Sequence, residues 1–411
     1  MMIRVLLATA RRWPTTTRLA LAISQAGANV DVLCPPSHWL ERLTFVRKRY
    51  RYSAFAGIDC CRSALRESGA DIVIPADDYI AANLHALFET SDTSKSGEAP
   101  LRSVIATSLG DSRSDFSFYA RDRIAKVAKR RNLRSPNVNV VVDDIQLSRA
   151  LKDIGYPAVL KTDGSSGGDG VRIVYNALDA RAAFQRLSRR GMVRALKDLV
   201  MNFDFTALET SLRRNRPRIT IQPFIPGRNA NAAVACYRGE LLAHVSVEVL
   251  ASISLTGPST IVRVIDHPGI SAAAEEMVQT LNLSGLCGFD FILDDNDKPY
   301  LIDFNPRATQ TSHLVSHDGR QPVAWLIEHL RGCKPAAVMR PNLDPIVLFP
   351  HGFFLNDDDL FAQYVDADVP PNLVFREIGL EYERRQRRLI NKVVAIGRKL
   401  TNEAGARRQM T

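Results

Sequence analysis

Two short stretches carry residue types spaced to do chemistry. The first is "GFDFILDDNDKPYLIDFNPR", Gly288 to Arg307. "DDNDK" is a turn cluster between two apolar runs that read as strands. A hairpin centred on Asn296 and Asp297 sets Asp290 directly across from Asp303. Asn305 then lies two residues on and points from the same face. Opposed Cβ atoms lie about 4.5–5.5 Å apart, and like charges there destabilise the sheet. Two facing carboxylates and an amide oxygen make a hard-oxygen set suited to Mg²⁺, with Mn²⁺ as a second hard cation. A solvated strand face with two tolerated acids is the bland alternative. The cost of opposing two carboxylates without a cation speaks against it.

The second stretch is "VLKTDGSSGGDGV", Val159 to Val171. Lys161 ends an apolar run, and Ser165, Ser166, Gly167 and Gly168 sit in the loop behind it. Backbone N–H groups of such a loop can close over phosphates, serine hydroxyls add donors, and the lysine adds a point charge. The loop does not match GxxxxGK[ST], and a glycine-rich hairpin tip is often only a tip. Joined to a downstream Mg²⁺-type set, it reads as a nucleotide site.

The elements that must position these residues fall into two patterns. Near the start, "IRVLLA", "NVDVLC" and "DIVIPADD" read as buried strands, with helical spacing in "TRLALAISQAG" and "GIDCCRSALRESGA". Strands alternating with helices imply βαβ units and a parallel sheet, and no GxGxxG follows the first strand. After a basic helix, "RDRIAKVAKRRNL", the pattern changes. "PAVLKTDG" and "GVRIVY" predict a hairpin around the glycine loop. "RITIQPFIPGRNANAAVACYRGELLAHVSVEVL" predicts three strands with turns at Pro226-Gly227 and Arg238-Gly239. "HPGISAAAEEMVQTLNLSG" predicts a helix ahead of the last hairpin.

The 411 residues suffice for two or three domains. No apolar run reaches the roughly 20 residues of a membrane span, and "MMIRVLLATARRWP" reads as a first strand rather than a secretory signal. The six cysteines lack metal spacing, which fits reduced thiols in a cytoplasmic protein. The net charge is +10, and ten Lys/Arg against four Glu lie in residues 376–411. No zinc finger or RNP-like string accompanies it, so nucleic acid is not the expected partner. Polyanionic substrates suit the charge equally well. Within the tail, Leu389, Val393, Ile396 and Leu400 form a helical stripe among basic residues. Such a helix docks on its own domain or at a homodimer contact, with weak contact to an anionic membrane surface as the alternative.

At this point the sequence resembles the ATP-grasp superfamily over roughly residues 1–335. The resemblance implies an α/β fold with an N-terminal parallel-sheet domain (1–115), a central lid (116–220) and a C-terminal antiparallel unit with the metal site (221–335). A C-terminal extension (336–411) follows. It implies ATP and Mg²⁺ as cofactors. Asp290, Asp303 and Asn305 look like the metal ligands, and Arg307 looks like the residue that steadies the transferred phosphate. Lys161 and its loop resemble the phosphate lysine and cover, Arg123 resembles the first basic ligand, and "IQPFIPG" resembles the adenine hinge, with Gln222, Phe224 and Ile225. The chain departs from the usual pattern in having Asp303 and Gln222 where glutamates are typical.

The implied activity is ATP-dependent ligation of a small carboxylate to an amine or similar nucleophile through an acyl phosphate. Two other readings stand beside it: a bicarbonate-activating enzyme of the biotin carboxylase or carbamoyl-phosphate synthase kind, and a non-catalytic nucleotide-binding protein. His244, Ser246 and Glu248 alternate along "AHVSVEV" and so share one strand face. They line the substrate cleft or form a solvated polar face.

Overall fold

The computed structural model describes residues 2–91, 94, 97–110, 120–162, 170–188, 218–254, 256–333, 345–350 and 374–384. Three sheets organise them. The first contains β1 (Arg4–Ala8), β2 (Asn29–Cys34), β3 (Val46–Arg51) and β4 (Ile72–Pro75), in the order β3-β2-β1-β4. All its ladders are parallel. Helices α1 (Thr15–Gln25), α2 (Gly57–Ser68), α3 (Asp78–Thr90) and α4 (Glu98–Leu109) complete the βαβ pattern the sequence predicts. Strand β3 escapes that reading because "VRKRYR" has no apolar face. It is an edge strand, where charge blocks further pairing, and Arg47 is held by the Asp31 carboxylate through Nε at 2.9 Å.

The second sheet joins β5 (Asn139–Val141), β6 (Ala158–Thr162), β7 (Val171–Val174) and β8 (Ile219–Pro223) in the order β5-β8-β6-β7, all antiparallel. It is preceded by α5 (Arg121–Arg130), which packs on the third sheet through Ile124 and Ala128. Helices α6 (Asp144–Ile154) and α7 (177–188) cover the second sheet, with Leu147, Leu151, Phe184 and Leu187 against Leu160 and Ile221. The β6–β7 hairpin forms as predicted.

The third sheet runs β13-β12-β9-β10-β11-β14, again antiparallel. Its strands are β9 (Arg228–Tyr237), β10 (Glu240–Ser252), β11 (Ser259–Ile265), β12 (Gly285–Leu293), β13 (Pro299–Asn305) and β14 (Ile346–Val347). Helix α8 (Pro268–Leu281) covers one face and α9 (Pro322–Leu330) packs beneath β9 and β10. Pro226-Gly227 is not a hairpin turn: β8 pairs with β5 and β6, whereas β9 pairs with β10 and β12. The segment 224–227 is therefore the passage from the second sheet to the third, and residue 220 lies inside β8. Gly227 is required there. Its φ is +146°, and a Cβ would sit 2.1 Å from the Leu293 carbonyl oxygen.

The first and third sheets share one core, in which Leu7, Val30 and Ile74 meet Ala235, Leu286 and Leu326. Helix α10 (374–384) seals it with Phe375 and Ile378, both fully buried. Arg42 pairs with Glu381 at 2.7 Å, and Trp39 meets Tyr382 edge to face with ring centroids 6.0 Å apart. The expected stripe from Leu389 to Leu400 lies outside the described residues. All six cysteines are free thiols, four of them buried. Among the described residues no helix is long and apolar enough to cross a membrane.

Candidate active site

Asp290 and Asp303 stand opposite each other on β12 and β13, as the hairpin register predicts. The turn, however, is centred half a residue earlier than expected. Leu293 opposes Pro299 and Phe291 opposes Leu301, so Ile302 is an extra residue in β13. This bulge restores the Asp290–Asp303 and Gly288–Asn305 pairs. It also frees the Ile302 carbonyl, which accepts from Lys161 Nζ at 3.4 Å.

The row extends one strand further. Asn231 of β9 opposes Asp290 and donates to its Oδ1 at 3.2 Å, and Asn305 Nδ2 donates to Oδ2 at 3.1 Å. Burial and the neighbouring Asp303 push the Asp290 carboxyl up in pKa. Asp303 behaves in the opposite way. Burial would raise it, but the Arg121 and Lys161 charges together with the Arg121 hydrogen bond hold it below the usual carboxylate range. Arg121 Nε donates to Asp303 Oδ2 at 3.0 Å, while its Nη1 donates to the Thr162 carbonyl at 3.0 Å. One guanidinium thus ties the end of β6 to the acidic row.

Lys161 is buried at the end of β6, and burial lowers its pKa to about 8. Thr162 N–H donates to the Gly170 carbonyl at 3.0 Å, closing the base of the glycine loop. The loop residues Ser165, Ser166, Gly167 and Gly168 lie outside the described residues. Across the same space, Gln222 of β8 is 4% exposed, and its Oε1 is buried with no hydrogen-bond partner. An orphaned buried acceptor is costly unless a ligand supplies the donor. Phe224 and Ile225 follow it along the wall, and the Phe224 amide is committed to the Pro157 carbonyl at 3.0 Å.

A cavity of about 810 Å³ joins these groups between the second and third sheets and reaches the first. Lys161, Gln222, Phe224, Ile225, Asp290, Asp303, Asn305 and Arg307 all line it. Among the described residues no group of three or more His, Cys, Asp or Glu gathers, and the hard-oxygen groups of this row are two acids and an amide. The donor set, two carboxylates and an amide oxygen on neighbouring strands, is of a kind that fits a hard cation. Arg307 makes three bonds: Nε to Asp78 Oδ1 at 3.1 Å, Nη2 to Asn305 Oδ1 at 3.1 Å and Nη1 to the Ala308 carbonyl at 3.2 Å. It connects the acidic row to the first sheet's helix α3.

Three expected positions fall elsewhere. Arg123 is exposed and does not line the cavity. Two helical positions rotate a side chain by about 200°, so Arg121 faces the site and Arg123 faces away. His244 and Glu248 also point away. Glu248 opposes Ala230, pairs with Arg228 at 2.6 Å and lies on the α8 face, where His244 Nε2 meets Ser271 Oγ at 2.7 Å. The cleft side of β10 instead presents Val249. The strand alternation was read correctly in the sequence, but its direction depends on α8, which sequence spacing does not place. Asn231 and Arg121 were missed. The alternation of Asn229 and Asn231 in "RNANAA" is the signal that finds Asn231, because both line the cavity.

Residues 124–311 match a family described as an ATP-grasp domain. The carbamoyl phosphate synthase large chain of Kocuria rhizophila is 27% identical over 205 residues, 48% of this chain and 16% of that one. The chain thus spans well under half the length of the curated relatives it matches. In fold, it is similar to a carboxyaminoimidazole ribonucleotide synthase from Aspergillus clavatus complexed with ATP. There the TM-score is 0.58 at 13% identity, covering 82% of this chain and 78% of the other. It is also similar to a biotin carboxylase–beta-gamma-ATP complex from Campylobacter jejuni, with a TM-score of 0.55 at 15% identity over 82% and 73% of the two chains. By that sequence match, residues 124–311 are an ATP-grasp domain.

Proposed function

We propose that the chain is an ATP- and Mg²⁺-dependent ligase that activates a small carboxylate as an acyl phosphate for attack by an amine. The observation that carries this reading is the single cavity. Gln222 with its unpartnered Oε1, the Lys161 and Arg121 cations, and Asp290, Asp303 and Asn305 all line it, which supports the reading. Gln222 Oε1 accepts from the adenine amino group, and Phe224 and Ile225 wall the ring. Lys161 and Arg121 hold phosphate oxygens. Mg²⁺ held by Asp290, Asp303 and the Asn305 amide oxygen supplies charge neutralisation for phosphoryl transfer. The acceptor carboxylate oxygen bonds to the γ-phosphorus as the bond to ADP breaks. The amine nitrogen then bonds to the acyl carbon, and phosphate leaves as the amine loses a proton. Positioning and charge do the work, so no side-chain nucleophile is called for.

The relatives support a second reading in which bicarbonate is the activated acid, because carbamoyl phosphate synthase and biotin carboxylase stand among them. ADP release in bicarbonate-free buffer separates the two. Release that needs a carboxylate and an amine supports the first reading, and release restored by bicarbonate alone supports the second. ATP binding without turnover in any pool of acids and amines sinks both and leaves a nucleotide-binding protein. A cytoplasmic setting and a homodimer accompany the reading and are tested by fractionation and by sedimentation.

A further inference from the structure

The cavity has an end that the nucleotide machinery does not use. The first sheet and the C-terminal helix build it, with Trp13, Leu19, Ala76, Pro350 and Tyr382 as its apolar wall. Trp13 lies in the loop from β1 to α1, and Tyr382 lies in α10, beyond the ATP-grasp match. Among the described residues the groups at this end that carry charge at neutral pH are Asp78 and Arg307, and they are bonded to each other.

The loop from β1 to α1 is where a phosphate would be cradled, at the start of a helix. Here that start is turned in on itself. Thr16 N–H donates to the Trp13 carbonyl at 3.3 Å and Thr17 N–H donates to the Pro14 carbonyl at 2.9 Å. The hydroxyls follow them, Thr16 Oγ1 to Trp13 O and Thr17 Oγ1 to Pro14 O, both at 2.6 Å. The basic residues of the loop are engaged by their neighbours. Arg12 Nη2 bonds the Pro36 carbonyl, and the Arg11 guanidinium lies 5.2 Å from the Trp13 ring centre and 5.9 Å from that of Tyr79. The Arg307 guanidinium lies 5.8 Å from the Trp13 ring centre. Cations near its ring hold the indole in place in the cavity wall. Tyr382 is positioned by its edge-to-face contact with Trp39.

Resting on the ligase reading, we propose that this end is the acceptor pocket and that the acceptor is a small acid, amine or amino acid with an apolar or aromatic side chain, not a phosphorylated one. Trp13 and Tyr382 are its specificity-determining residues. Aromatic walls contribute stacking and area burial, and the Arg307 guanidinium at this end is already engaged by Asp78 and Asn305, which leaves a phosphate dianion a poor match.

The test is a thermal-shift titration of the full chain, with and without ADP and Mg²⁺. The probes are L-phenylalanine, phenylacetate, phenethylamine, glycine and ribose 5-phosphate. At least one aromatic probe should raise Tm, while glycine and ribose 5-phosphate do not. Trp13→Ala and Tyr382→Ala, checked for folding by circular dichroism, should each weaken the aromatic probe at least tenfold, and Trp13→Phe should restore most of it. A larger shift with ribose 5-phosphate overturns the proposal. So does the absence of any aromatic shift, or a shift that survives both alanine variants. The wild-type shift with ADP and Mg²⁺ reports separately on the nucleotide reading, so the two failures are distinguishable.

Discussion

Arg121 grips Asp303 through two guanidinium nitrogens on a single oxygen, Nε at 3.0 Å and Nη2 at 2.9 Å from Oδ2, across 182 residues of sequence. The same side chain reaches the Thr162 carbonyl at the root of the glycine loop. It therefore couples the second sheet to the acidic row. Replacing it by lysine keeps a charge but removes the planar fork that serves both partners. Arg121→Lys should weaken ADP–Mg²⁺ binding by roughly tenfold to a hundredfold, the range of about 1.5–3 kcal/mol for hydrogen bonds to charged groups. Arg123→Ala should leave it within about twofold, as for an exposed side chain. Calorimetric titration of both variants decides which arginine serves the site, and equal losses would contradict the assignment.

Asp303→Asn tests the metal set. The amide preserves shape and one acceptor but lacks the charge a hard cation needs. ADP release should fall by at least about a hundredfold, as for loss of a group that stabilises developing charge. The variant should remain folded, with its melting temperature measured alongside. Normal turnover in this variant would remove Asp303 from the metal set.

Much of this site is legible in the sequence because strand alternation and hairpin pairing are local rules. Asp290 and Asp303 are linked by one tight turn, so their opposition needs only a turn position and a period of two. Even there the bulge at Ile302 was invisible, since no residue type demands it. It changes the turn centre without changing the pair. Gln222 and Asn231 lie on strands of different sheets, and what brings them to one cavity is the passage through Gly227. The direction of the β10 face was not legible for a related reason. The sequence "AHVSVEV" shows that His244 and Glu248 agree with each other, but which side faces the cleft is decided by the packing of α8 on that sheet. Arg121 and Arg123 differ only in helical phase, and the phase of α5 is fixed by Ile124 and Ala128 in a core whose other members come mainly from β9, β12, β13 and α8. The fold class was legible for the opposite reason: alternating strands and helices followed by strand-rich sequence are themselves the pattern of the class.

His38 gives the fold an acid limit. It is buried, its Nδ1 accepts from the Leu40 amide at 3.0 Å, and its pKa is lowered to about 3 by burial, against an ordinary 6.5. The folded ring stays neutral while the unfolded ring takes up a proton below pH 6.5. The unfolded state then binds more protons, so stability falls as the pH drops from 6.5 toward 3. From pH 7 to pH 5 the loss is about 2 kcal/mol. His38→Asn keeps a side-chain acceptor for the Leu40 amide and cannot charge. Urea unfolding at the two pH values should show a smaller acid loss in the variant by roughly that amount, and an unchanged loss would assign the acid sensitivity to other groups.

Gln222 offers the sharpest test, because its two expected effects have opposite signs. In the free protein its Oε1 is buried without a partner, so the fold bears a desolvation penalty there. Gln222→Met keeps length and flexibility and removes the polar atom. The free protein should gain about 1–2 kcal/mol in denaturant unfolding, the usual range for relieving an unsatisfied buried group. Nucleotide should bind less well by about tenfold, since the adenine amino group loses its acceptor. GTP, whose base presents a carbonyl at the matching position, should discriminate less against the variant than ATP does. A role confined to packing predicts the stability change alone, with ADP affinity untouched. A stability loss on removing the oxygen would mean that Oε1 is satisfied in solution, and the adenine assignment would fall with it.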